Sequence, residues 1–236
     1  MKKEIADKIL HETEVGYDLI SEKFSQTRKH FWRGLEFVRN YTHAGDRVLD
    51  FGCGNGRLLE LLGDTEKFEY YGVDVSDRLI EFARQKYPKG IFSKINPIQT
   101  SLAFEKEFFN SIYSIAVFHH FPSKKYREDV AKELFEKTAI GGHIVITVWY
   151  LWQQKYFKNI WQNWKNKLQG KSVLDWNDCE ISFINNEGEK FRRFHHAFTK
   201  TELRKIFIKA GFEIEKCEIV DGRNILLIGK KQKITV

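Results

Sequence analysis

The chain has 236 residues, 42% hydrophobic and 30% charged, with 39 Lys and Arg against 32 Asp and Glu and a formal net charge of +7. That length supports one sizeable α/β domain with a modest insertion, and the basic excess favours an anionic partner without naming one. Cys53, Cys179 and Cys217 make neither a disulfide framework nor a metal-site spacing, no run approaches membrane-spanning length, and the lysine-rich start lacks a signal peptide's apolar stretch. A cytoplasmic protein with no metal and no membrane association is therefore expected.

Residues 3–40 read as two or three amphipathic helices, with Ile5, Ile9, Leu10 and then Phe31, Leu35, Val38 at helical spacing. A strand over 46–51 ends in Gly52, Gly54 and Gly56 at every second position, and a helix-like run begins at once from Arg57. Glycines there allow positive φ and let a ligand lie directly on the backbone, while the new helix offers free N–H groups to something polar or anionic. A dinucleotide fingerprint needs its third glycine where Arg57 stands, so the spacing points to a different cofactor. A second strand over 68–75 closes on Asp74, at the distance where such folds hydrogen-bond a ribose.

A helix follows from Asp77 to about Tyr87, stopped by Pro88. A weaker strand lies near Gly90–Ile95, a clear one at Asn110–Val117, and a helix runs from near Pro122 to Lys137. Gly141 and Gly142 then turn into a β-branched strand, His143–Trp149. Regular alternation stops at this point. Residues 150–178 suggest a helix plus loop, Ile181–Ile184 and Lys190–Phe198 a hairpin, and Thr199 with Glu202 a capping box. That helix ends at Gly211, and Phe212–Val220 and Asn224–Lys230 read as an antiparallel closing pair. The whole predicts a doubly wound, mostly parallel sheet of seven strands: a single domain over 1–236, with an N-terminal helical segment (1–42) and an insertion after the fifth strand (150–198).

Asp50-x-Gly52-x-Gly54-x-Gly56 resembles the first motif of class I S-adenosylmethionine (SAM) methyltransferases, which are Rossmann-like. Wider segments are similar as well: Tyr17 through Phe24-Ser-Gln-Thr-Arg28, Ser114 through His119-His120-Phe121, Val148-Trp149, and Arg193-Phe-His-His196-Ala-Phe198. In this order they resemble the tRNA wobble-uridine methyltransferases that esterify 5-carboxymethyluridine derivatives. The resemblance implies that Asp50, Gly52, Gly54 and Gly56 hold the methionine part of SAM and Asp74 its ribose. Cys53, Val75, Gln99, Thr100 and Ile115 would complete the cofactor site, and Tyr17 would close over it. Arg28, His119 and His120 would face methyl transfer, while Trp149, Arg193 and His196 would meet substrate near the mouth. It further implies tRNA as a partner and a small activating protein subunit as another. The sequence departs from the family where an acid usually meets the adenine amine, so that Gln99 or backbone would serve there.

Other readings of the same residues stay open at this level. Arg28 either grips a carboxylate or pairs with an acid on its own helix. Trp149 either packs or stacks on substrate. Lys155, Lys158, Lys165, Lys167 and Lys171, interleaved with Trp152, Trp161, Trp164 and Trp176, suit RNA phosphates and bases but also suit an ordinary solvated helix. A small carboxylate acceptor, or a SAM-binding scaffold without turnover, are the alternative functions.

Overall fold

The computed structural model describes residues 1–27, 34–63, 65–188 and 190–233. Nine strands and six α-helices are described: α1 (Lys3–Thr27), β1 (Arg47–Phe51), α2 (Leu58–Leu62), β2 (Glu69–Asp74), α3 (Asp77–Lys86), β3 (Ile91–Lys94), β4 (Phe109–Ile115), α4 (Lys124–Lys137), β5 (Thr138–Trp149), α5 (Gln154–Leu168), β6 (Asp178–Ile184), β7 (Lys190–His196), α6 (Lys200–Ala210), β8 (Glu213–Val220) and β9 (Asn224–Lys230). Seven strands form one sheet in the order β3-β2-β1-β4-β5-β9-β8, and β6 and β7 form a separate hairpin. The first five of the sheet are parallel, while β9 runs antiparallel to both neighbours.

Alternation along the strands divides the core into two layers. Leu49, Phe51, Ile144, Ile146 and Val148 face α4 and α6 through Val130, Leu134, Leu203 and Phe207. Val48 and Val145 face the opposite way, onto Val38, Ile80 and Ala83. Sheets covered on both faces require apolar residues at successive positions, which is what β1 and β5 carry. The strand order reverses between β1 and β4, and ligands of open α/β sheets bind outside the carboxyl ends of the strands at such a reversal.

Most predicted elements hold to within a residue or two, and the exceptions have physical causes. Residues 3–27 form one 25-residue helix rather than two. Gly16 does not break it, because Phe191 of β7 packs onto its bare Cα, 3.3 Å from where a Cβ would stand. Residues 36–41 form a short 3-10 helix, and Phe31 lies outside the described residues. β5 starts at Thr138, and its register on β4 jumps from Phe109↔Thr138 to Ser111↔His143, so the two glycines sit in a bulge inside the strand. At the start of α6 the Thr199 side chain accepts the Glu202 amide. The Glu202 carboxylate does not return to Thr199 but reaches His196 at 2.8 Å, so half of the expected capping box is diverted.

A candidate methyl-transfer site

The loop after β1 is held open by its glycines. Gly52, Gly54 and Gly56 have φ of 82°, 55° and 75°, a region that side-chain-bearing residues rarely adopt. A Cβ on Gly52 would lie 2.3 Å from Val117, and one on Gly56 would lie 2.9 Å from Tyr87. The Gly54 amide donates to Asp74 Oδ2 at 2.8 Å and the Ser76 amide to its Oδ1 at 2.9 Å, so the carboxylate closing β2 ties the loop to the start of α3. Burial raises the Asp74 carboxyl above its ordinary value, offset by these amides.

Beneath the loop lies Asp50, which accepts the Tyr70 hydroxyl at 2.5 Å. Burial pushes its carboxyl up to about 7, against the pull of the Tyr70 bond. Cys53 is buried, and burial also raises its thiol, which marks it as an inert packing residue.

A cleft open to solvent on one side runs from this loop to the carboxyl end of β4. Gly52, Gly54, Asp74, Val75, Gln99 and Ile115 line it, as do His119, His120, Trp149 and Tyr17. Asp50, Cys53, Gly56 and Thr100 do not; the first three are buried behind the loop, where Asp50 and Gly56 set its shape through Tyr70 and Tyr87, and Thr100 is half-buried outside the cleft.

The roof is α1, which presents Leu10, Thr13, Tyr17 and Phe24 to the cleft. Ser76 donates to Asp18 at 2.5 Å, and Lys94 bridges Glu14 at 2.9 Å and Asp77 at 2.6 Å, pinning the roof to α3 and β3. Helical spacing is legible at Ile5, Ile9 and Leu10, and the resemblance implies Tyr17 as a lid; that Leu10 and Thr13 share the cleft wall with it is not legible in the sequence. Arg57, Asn96 and Tyr126 also line the cleft without having been singled out.

The far end is built from side chains. His119 and His120 sit in a 3-10 turn after β4. Just before them, Ala116 holds φ 61°, a strained conformation fixed by two bonds from its amide to Thr147, at 2.9 Å to the carbonyl and 3.0 Å to the hydroxyl. His120 Nδ1 lies 3.0 Å from the Phe194 carbonyl, which can only accept, so this nitrogen carries the proton. In the neutral ring Nε2 then accepts the Tyr17 hydroxyl at 2.8 Å. The Trp149 amide donates to His119 Nδ1 at 3.3 Å, and the indole stacks on the His119 ring at 5.3 Å.

Arg193 and His196, expected at the mouth, are elsewhere. Arg193 is 2% exposed, its guanidinium 3.4 Å from the Phe183 ring centre and 4.7 Å from that of Tyr17, so it props the roof from behind. His196 is bound between Asp178 at 2.6 Å and Glu202 at 2.8 Å, clamping the hairpin to α6. Neither lines the cleft. Arg28 lies outside the described residues.

A parallel sheet reversing between β1 and β4, with an antiparallel last strand pair and a glycine-lined cleft at the reversal, defines a class I methyltransferase fold. Residues 24–216 match the family described as methyltransferase domain, and the chain belongs to it. It is 30% identical over 173 residues, 73% of this chain, to the tRNA (carboxymethyluridine(34)-5-O)-methyltransferase of Arabidopsis thaliana, and spans 40% of that relative. The protein of that name from Saccharomyces cerevisiae is 33% identical over 137 residues, 58% of this chain and 47% of the relative. The chain thus spans less than half the length of these relatives. A SAM-dependent methyltransferase from Methanosarcina mazei superposes with a TM-score of 0.69 at 20% identity, over 86% of this chain and 100% of that one. A Haloferax volcanii chain solved in complex with the Trm112 methyltransferase activator gives 0.66 at 15% identity, over 95% and 99%.

Proposed function

We propose that this methyltransferase uses SAM to esterify a carboxymethyl group on the wobble uridine of tRNA. The observation that carries the reading is one continuous cleft that joins the glycine loop to the His119–His120–Trp149 end beneath α1. Positive-φ glycines whose Cβ positions are blocked suit a cofactor lying against backbone, and SAM supplies a methyl group activated on a positive sulfur.

Displacement at that methyl needs alignment more than proton transfer. Holding two reactants in line supplies on the order of 7–11 kcal/mol of a barrier. A carboxylate acceptor has a pKa near ~4 and arrives ionised at neutral pH, so no strong base is required. Asp74 and the amides it orders are in position to hold the ribose end, with Gln99 and Asn96 on the same side. His120 keeps Tyr17 over the reacting centre, and Trp149 offers an apolar face to a base. Arg28 follows α1 in sequence, and a planar guanidinium grips a carboxylate by two parallel bonds.

The α5 lysines lie near the exposed Phe157 and Trp161, while Trp152 and Trp164 turn inward and bond the Ala197 and Trp176 carbonyls. Cations beside outward aromatic rings suit an unstacked anticodon strand. Cytoplasmic tRNA and an activator of the Trm112 kind are the partners this reading assigns; the relatives' names and the Haloferax complex support them.

Incubating the purified chain, with and without such an activator, with methyl-labelled SAM and total tRNA, then digesting to nucleosides, tests the reading. Label in a carboxymethyluridine ester is expected, with RNA binding that weakens linearly in log affinity as log salt rises. Label confined to small molecules would replace tRNA with a metabolite acceptor. Arg28→Ala should abolish transfer while SAM still binds.

A further inference from the structure

We propose that His119, His120 and His195 form a binding site for a divalent transition metal of the zinc type, at the back of the acceptor end of the cleft. Each ring offers one nitrogen, and all three nitrogens lie within 4.8 Å of one another. Ring centres are 4.3 Å apart for His119 and His120, 4.7 Å for His120 and His195, and 5.2 Å for His119 and His195. All three side chains are buried, His119 and His195 completely.

The outer bonds have the form that metal-bound histidines use. A ligating imidazole ordinarily donates its other N–H to a carbonyl or carboxylate, which fixes the ring and aims the lone pair. Here His120 Nδ1 donates to the Phe194 carbonyl at 3.0 Å and His195 Nδ1 to the Arg193 carbonyl at 3.0 Å. The His195 Nε2 lone pair is therefore fixed and buried, with no hydrogen-bond partner among the described residues. Leaving a buried acceptor unsatisfied costs free energy, and a cation would remove that cost. Three imidazoles without a carboxylate or thiolate suit zinc, cobalt, nickel or copper and not magnesium or calcium. Three protein ligands also leave a fourth position open, toward the cleft that His119 and His120 line.

Capture requires rearrangement, which sets its consequence. With metal–nitrogen bonds of about 2.0–2.1 Å the rings must close in. His119 must turn away from the Trp149 amide, a long bond at 3.3 Å, and His120 must give up the Tyr17 hydroxyl at 2.8 Å. The metal thus competes with one of the bonds that tie α1 to the floor of the cleft, the others being those of Asp18 and Glu14. Burial, and after it the nearby Arg193 charge, disfavour a cation at His195 and limit the affinity.

The test uses the full chain, freed of any histidine tag and of metal, with neither SAM nor RNA present, titrated with cobalt(II) and then zinc(II). One equivalent of cobalt with the visible bands of a low-coordinate histidine site is expected, displaced by zinc. His195→Gln should weaken binding by more than the roughly 10–100-fold that loss of an outer-sphere partner costs. Tyr17→Phe should tighten it severalfold, and His11→Ala, on the surface, should change nothing. No cobalt spectrum, or wild-type affinity in His195→Gln, overturns the proposal. Should that variant fail to fold, X-ray absorption at the zinc edge of the wild type decides: three imidazoles support the site, and fewer overturn it. Methyl transfer enters none of these readouts, so failure of this site leaves the proposed reaction standing.

Discussion

The two ends of the cleft are built on different principles. At the cofactor end the backbone does the work. Gly52, Gly54 and Gly56 take conformations that other residues avoid, and one acid, Asp74, fastens their loop to the next helix. At the acceptor end side chains do it. Tyr17 from α1, His119 and His120 after β4, Trp149 at the end of β5 and His195 from the hairpin meet through ring contacts and single hydrogen bonds. A grip made of backbone must be contiguous in sequence, whereas one made of side chains needs only a fold that brings them together.

The sharpest way to break the contrast is at the clamp behind the acceptor end. His196→Ala removes the partner of the fully buried Asp178 and should cost about 3 kcal/mol in denaturant unfolding. It should loosen the hairpin while leaving the glycine loop's protection from hydrogen exchange intact. Gly52→Val attacks the other end. Strain at φ 82° and a Cβ 2.3 Å from Val117 should cost about 1–3 kcal/mol, with SAM binding lost in calorimetry while the His119–His120 end persists.

Asp50 gives the comparison a pH axis. Its carboxyl is held at about 7 by burial, so the folded chain keeps a proton that the unfolded chain has already released. Below the ordinary carboxylate value both states are protonated, and stability falls as pH rises from there to about 7, then levels off. Asp50→Asn should flatten that fall in melting curves taken across pH 4 to 8, since an amide has no proton to lose. The smallest effect is expected from Tyr17→Phe. Losing one hydrogen bond to His120 should cost about 1 kcal/mol of stability, with a larger relative loss in transfer rate than in SAM affinity, because the bond lies at the acceptor end.

The free energies also explain which residues could be read early. The Gly52–Gly54–Gly56 spacing and the strand ending in Asp74 needed no tertiary information, because each sits beside the element it terminates. Arg193 and His196 carried the chemistry of a substrate contact, yet both are withdrawn from the cleft. Arg193 stacks on Phe183 and Tyr17, and His196 is consumed by two carboxylates from different elements. Charge in a motif shows that a group needs partners; whether those partners are substrate or protein depends on what the fold brings within 3 Å.

By itself the sequence determined the doubly wound sheet, its antiparallel closing pair and the cofactor loop, because apolar periodicity and glycine placement act over a few residues. Only the tertiary structure decided that α1 is one unbroken roof, that Asp50 lies beneath the loop, and that three histidines, two from the turn after β4 and one from β7, share one buried space. Those outcomes rest on contacts between residues far apart in the chain, such as Tyr17 to His120 across 103 positions, which no local pattern encodes.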